Sequence, residues 1–175
     1  GKFSTSEKRG IFMDQALDLY PADYWRWWLL TNAPESADTD FTWESFQSTI
    51  NKDLADILGN FISRVTNFSV SKFGNVIPET QIYGQLEKDT IKKLDYHYKC
   101  LKDLMQNIEI RKSCNALLSI WVTGNEYLQK AAPWSILKEN PERSKMIIRF
   151  SLNLINLYSL VSEPFIPFTC EKIRN

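Results

Sequence analysis

Residues 43–68, WESFQSTINKDLADILGNFISRVTNF, are the stretch the rest of the chain is organised around. Apolar side chains fall at Trp43, Phe46, Ile50, Leu54, Ile57, Leu58, Phe61, Val65 and Phe68. Those gaps of three and four lay one stripe along a helix that turns about 100° per residue. No proline interrupts the run, and Gly59 costs only about 1 kcal/mol relative to alanine. Thr42 stands where an N-cap belongs, with Glu44 and Ser45 in the first turn. Asn60 and Arg64 are neighbours one turn apart at the flank of the stripe, beside Ile57 and in line with Asp53, Asp56 and Asn67. Alone, that line reads as a solvated helix edge.

The rest of the chain supplies partners of the same kind. Residues 11–19 form a short helix ended by Tyr20-Pro21, and Pro21-Ala22-Asp23 opens a second, with Asp23 at the positive end of its dipole. Tyr24, Trp25, Trp27, Trp28, Leu29 and Leu30 make that helix too apolar for a surface position, so it is expected between two packed layers. Asn32-Ala33-Pro34 stops it, residues 35–40 are an acidic loop, and residues 40–42 are a short strand or extended lead-in. A loop follows at 72–80, broken by Gly74, Asn75 and Pro78. Leu86, Ile91, Leu94, Tyr98, Leu101 and Met105 mark another long helix, and residues 108–128 the next. Residues 129–134 connect onward. Asn140-Pro141 is a strong helix start, and the helix to Val161 is apolar nearly all round, hence central. Pro164 and Pro167 break the chain, and residues 171–175 read as the beginning of one more helix. Four or five helices of about 20 residues with short loops predict an all-α antiparallel bundle. Residues 1–42 do not share its rhythm and read as the tail of something larger.

Composition narrows the function classes. The 175 residues are 43% hydrophobic and 24% charged, ordinary for one globular domain or one domain with an appendage. Formal net charge is zero, so a nucleic-acid partner needs a local patch rather than a global field. Apolar runs such as 146–161 are broken by Arg149, Asn153 and Asn156, which excludes a membrane span, and the polar start GKFSTSEKRG is no secretory signal. Cys100, Cys114 and Cys170 are widely spaced and odd in number, which points to reduced thiols. No closely grouped zinc ligands occur, and no metal site is expected in this segment. The single histidine, His97, reads as a surface or packing residue, and a hydrolase triad is excluded.

Two further features bear on chemistry. Residues 1–10 combine hydroxyls and ammonium groups with small residues, a composition suited to phosphate oxygens, though a flexible basic terminus looks similar. Trp134 follows Ala-Ala-Pro at a helix connection. Such a tryptophan commonly packs under a loop, but Pro133 fixes the backbone and is expected to forbid helix there, and a flat aromatic on a rigid corner is also what a base-stacking platform requires. Arg111, Lys112, Lys138, Arg143 and Lys145 line an RNA groove on one reading and are ordinary solvated charges on the other.

At this point the residues meet a family. GKFSTSEKRGIF resembles the KMSKS loop of class I aminoacyl-tRNA synthetases. PADYWRWWLL, LADILGNFISR and AAPW follow in the order and spacing of the methionine-specific members, along all 175 residues. The resemblance implies a KMSKS-like loop and tRNA stem-contact linking module at 1–42 and a helical anticodon-binding domain at 43–175. It implies that Asn60 and Arg64 contact the first anticodon base and that Trp134 stacks on it, reading the CAU anticodon of a methionine tRNA. It implies ATP with Mg2+ as the parent's cofactor, with Lys2 catalytic and Lys2, Ser4, Thr5 and Ser6 at the triphosphate. The sequence departs from the motif where Thr5 replaces the second lysine, removing a charge that would neutralise triphosphate, and where Phe3 replaces methionine. Glu7 and Lys8 are extra, and Lys8 or Arg9 is placed to compensate. The nucleotide-binding half of the family lies upstream of Gly1, so the chain reads as a C-terminal fragment that depends on that catalytic domain. By itself it is expected to bind tRNA, without membrane or DNA, in the cytoplasm or an organellar matrix, and not to activate methionine. The alternatives are a stand-alone helical RNA-binding module and a plain interaction bundle in which Asn60, Arg64 and Trp134 are structural. The third is decided by geometry: no single base reaches both Trp134 and Arg64 if the tryptophan is fully buried or lies more than about 15 Å away.

Overall fold

The computed structural model describes residues 12–35, 38–79 and 83–175, and every regular element in them is helical. The elements are α1 (Met13–Leu19), α2 (Ala22–Thr31), α3 (Trp43–Thr49), a π-helical segment (Ile50–Gly59), α4 (Asn60–Phe73), α5 (Gln85–Gln106), α6 (Ile110–Ala131), α7 (Pro133–Ile136), α8 (Pro141–Val161) and α9 (Pro167–Arg174). The all-α bundle expected from the periodicity is present. Among the described residues no helix is long and apolar enough to cross a membrane.

The core lies around α6. Leu117, Ile120, Trp121, Tyr127 and Leu128 are buried along it and meet Phe61 and Val65 of α4 and Ile147, Phe150, Leu154 and Tyr158 of α8. Close approach at one point depends on glycine: a Cβ on Gly124 would stand 1.8 Å from the Tyr158 hydroxyl and 3.3 Å from the Phe61 ring. The helix read as central, α8, buries residues on most of its circumference. Its Asn140 caps it by accepting the Arg143 N–H at 2.9 Å, as the Asn-Pro start predicts.

The tryptophan-rich α2 buries Trp25, Trp27 and Trp28, while Leu29 faces outward. Trp27 is fully buried, packs on Trp121 with ring centroids 5.0 Å apart, and donates its indole N–H to Asp53 at 3.0 Å. Arg26 bonds the Pro164 and Phe165 carbonyls, and Asp23 accepts the Thr169 N–H at the start of α9. A second aromatic cluster, Trp25, Phe41, Trp43 and Phe46, joins α2 to α3. Thr42 is the N-cap of α3, its hydroxyl accepting the Ser45 N–H at 3.1 Å.

Several local readings change. The helix through residues 43–73 is continuous, but its middle third is π-wound. The wider turn rotates Asp53 off the expected polar line and into the core, where Trp27 meets it, while Asp56 and Asn67 remain exposed. A Cβ on Gly59 would come within 3.0 Å of the Leu54 carbonyl oxygen, so the glycine that is merely tolerated in an α-helix fits the π turn. Ile108 does not open α6: it sits exposed at φ 59 in the turn after α5. On α5 only Leu94 and Leu101 of the marking residues are buried, whereas Ile91, Tyr98 and Met105 are exposed, because this helix packs chiefly on α6 with one face. Pro133 and Pro167 do not exclude helix. Each is the first residue of one, where the missing N–H leaves no bond unmade.

Candidate nucleic-acid interface

Asn60 and Arg64 lie one turn apart on α4, directly after the π segment. Asn60 is exposed and Arg64 half-buried. The π-to-α transition beneath them is held by α6, where Asn125 donates its side-chain N–H to the Ile57 carbonyl at 3.0 Å. Asn125 was not among the sequence candidates, since an isolated asparagine in an amphipathic helix carries no positional signal.

Trp134 arrives from the other side. It is the second residue of α7 and 40% exposed. The residue displaced from helix by Pro133 is Ala132, which ends α6 in the left-handed region at φ 39. The corner is then pinned to α8, where the buried Ser144 donates its hydroxyl to the Pro133 carbonyl at 3.0 Å. These placements bring the two halves of the site together: the Arg64 guanidinium carbon stands 4.8 Å from the centre of the Trp134 ring. Arg64 is held there by the indole face alone, with no carboxylate partner among the described residues. Neither of the two conditions that would bar a single base from touching both side chains holds. Trp134 is not buried, and it is well inside the limiting distance from Arg64.

The scattered basic residues divide differently from the sequence reading. Arg143 does not line a groove. It is bidentate on the buried carboxylate of Glu87, at 2.8 and 2.9 Å. Lys145 pairs with Glu142 and Lys112 with Glu109. Lys138 and Arg111 remain exposed. Glu87 was not among the sequence candidates; it accepts the Gly84 N–H at 2.8 Å at the start of α5. Its burial could not be read from spacing. Among the described residues no three His, Cys, Asp or Glu side chains group as a metal site. Lys2, Ser4, Thr5 and Ser6 lie outside the described residues.

What the site offers is an exposed aromatic plane, a planar cation beside it and an amide one helical turn away. Such a set takes a flat, hydrogen-bonding ligand edge-on and face-on at once.

Residues 77–175 match the anticodon binding domain of methionyl tRNA ligase, and residues 1–66 match the class I tRNA synthetases (M). The methionine–tRNA ligase of Ruegeria sp. (strain TM1040) is 54% identical over 173 residues, covering 99% of this chain and 30% of the relative. That of Paracoccus denitrificans is 55% identical over 171 residues, covering 98% and 30%. The fold is shared with a Mycobacterium tuberculosis methionyl-tRNA synthetase in complex with methionyl-adenylate. There the TM-score is 0.82 at 20% identity, over 90% of this chain and 32% of that one. The helical bundle and the two segment matches together define a helical module of the class I tRNA synthetases. Within that class, the chain belongs to the methionyl-tRNA ligase family. It spans about 30% of the length of the curated relatives it matches.

Proposed function

We propose that this chain is the tRNA-binding part of a methionine–tRNA ligase and that Asn60, Arg64 and Trp134 read the first base of a CAU anticodon. The observation that carries the reading is the open Arg64–Trp134 pair, formed by two helices distant in sequence. Cytosine presents a carbonyl and a ring nitrogen as acceptors, which the guanidinium fork of Arg64 and the amide of Asn60 can meet. Its ring can lie on the indole, a stacking contact worth about 1–3 kcal/mol. In the free chain the guanidinium occupies that indole face. An incoming base replaces it there, or closes on the opposite face, and in both cases the fork stays beside the base edge.

Residues 1–42 act in this reading as signature loop and stem-contact module, and residues 43–175 as the anticodon domain. The parent enzyme joins ATP, L-methionine and tRNA to give methionyl-tRNA, AMP and diphosphate, with Mg2+ on the nucleotide, in the cytoplasm or an organellar matrix. Lys2 is the catalytic contact to the triphosphate, with Ser4, Thr5 and Ser6 beside it. The nucleotide-binding domain is a partner within the same parent, and this chain alone does not activate methionine. A stand-alone RNA-binding module is the less supported reading, because both family models describe ligase segments.

The test is binding of anticodon stem-loops to the complete protein that carries this chain. The CAU loop binds more tightly than loops altered at the first base, and W134A nearly abolishes the difference. Equal binding of all loops by the wild type across several salt concentrations rejects the proposal, since phosphate contacts alone give sequence-independent affinity.

A further inference from the structure

We propose that Glu87, on a helix with no residue in the reading face, is a positioning residue for Trp134. The proposal rests on the reading above, that Trp134 stacks on an anticodon base.

The corner that carries Trp134 joins α6 to α8, and both of these helices converge on one carboxylate. Tyr127, in the last two turns of α6, donates its hydroxyl to Glu87 Oε1 at 2.6 Å. Arg143, in the first turn of α8, donates to Oε2 at 2.8 Å and to Oε1 at 2.9 Å. The Gly84 N–H completes the set on Oε2 at 2.8 Å. Glu87 and Tyr127 are buried, and the space around the pair is filled: a Cβ on Gly84 would stand 3.0 Å from Oε2 and 3.2 Å from the Arg143 guanidinium. The next residue of α8 is Ser144, whose hydroxyl holds the Pro133 carbonyl. The line from Glu87 to the backbone immediately before Trp134 is therefore Arg143, Ser144, Pro133.

Two physical arguments make this a positioning device and not only a brace. Replacing a buried ion pair by packed apolar residues is often neutral for stability, so stability is a weak reason for such a network, whereas four directed bonds to one carboxylate define an orientation. The corner also needs defining. Ala132 holds a left-handed backbone that a non-glycine residue keeps only when its surroundings enforce it. Glu87 and Ser144 enforce it from α5 and α8, and the indole is left at the angle where Arg64 meets it.

The test is a double-mutant cycle on CAU stem-loop affinity in the complete protein, with helical circular dichroism confirming folding. W134A weakens binding. E87Q, which keeps the shape but not the charge, weakens it roughly 3- to 30-fold, and S144A weakens it less. In the W134A background neither E87Q nor S144A weakens it further, because both act through the indole. If E87Q does not fold, S144A and Y127F carry the same cycle. Wild-type affinity in folded E87Q or S144A overturns the proposal, as does an undiminished loss in the W134A background. If W134A itself binds CAU as the wild type does, the anticodon reading falls and this inference with it.

Discussion

The Arg64 guanidinium lies over the Trp134 indole, its carbon 4.8 Å from the ring centre. Arg64 follows the π-wound segment within little more than one turn, and the left-handed Ala132 leads into the short helix of Trp134. The tryptophan sits on a one-turn helix, so its aim comes from the neighbours that hold that turn: α6 before it and Ser144 of α8 beneath it.

Arg64 has two tasks in the proposed recognition, stacking and edge contact, and both need a planar fork. R64A is expected to lower affinity for the CAU loop by about 1–3 kcal/mol. R64K keeps the charge but not the fork, and recovers less than half of the loss. Titration of the three variants with CAU and altered loops checks both statements. Full recovery by lysine shows that only charge matters.

At Gly124 α6 meets Phe61 of α4 and Tyr158 of α8. G124A places a methyl 1.8 Å from the Tyr158 hydroxyl and 3.0 Å from the ring carbon that bears it. The expected cost is about 1–3 kcal/mol of stability, read as a lowered unfolding midpoint. Adding Y158F removes the nearest atom, so G124A/Y158F should be more stable than G124A. The bond this sacrifices, shared by the Tyr158 hydroxyl between the Ile120 and Trp121 carbonyls at 3.3 and 3.4 Å, contributes only about 1 kcal/mol.

Asp53 gives a pH signature. Burial pushes its carboxyl above the ordinary 3.8, against the lowering effects of the Trp27 hydrogen bond and of Lys52. A carboxyl raised in the fold favours its protonated form there, so its ionised form costs stability at neutral pH. That cost is relieved as pH falls through the raised value toward 3.8. D53N still offers Trp27 an acceptor. It is expected to unfold at a higher temperature than the wild type at neutral pH, with the advantage shrinking on acidification. A constant or growing advantage contradicts the assignment.

The cysteines should be unreactive in the native chain. Burial pushes the Cys114 thiol up to about 12 and the Cys170 thiol up to about 11, so neither supplies thiolate at neutral pH. Only Cys100 is partly accessible. A colorimetric thiol titration should find at most one reactive cysteine before denaturation and three after.

Much of this molecule was legible in its sequence, because helices declare themselves by local spacing. The stripe at 43–68, the Thr42 and Asn140 caps, the buried α2 and the central α8 follow from residues within a turn or two of one another. Asn60, Arg64 and Trp134 were legible as candidates because their motifs are short and contiguous. The meeting of Arg64 and Trp134 was not legible in local spacing and entered only through the family resemblance, since nothing local relates the flank of one helix to the corner after another. Nor was the fate of the charges. Asp53, Glu87 and Arg143 have the composition of a surface, and only packing decides that α2 covers the first and that Tyr127 of α6 and Arg143 of α8 close on the second. The prolines misled for a related reason: local sterics forbid helix to the residue before each one, and whether the proline itself starts a helix depends on what the next turn packs against. Sequence by itself determined the periodic elements and the family. Tertiary structure alone decided which polar groups are buried partners and which remain open to a ligand, because burial is a property of the space between elements and not of any one of them.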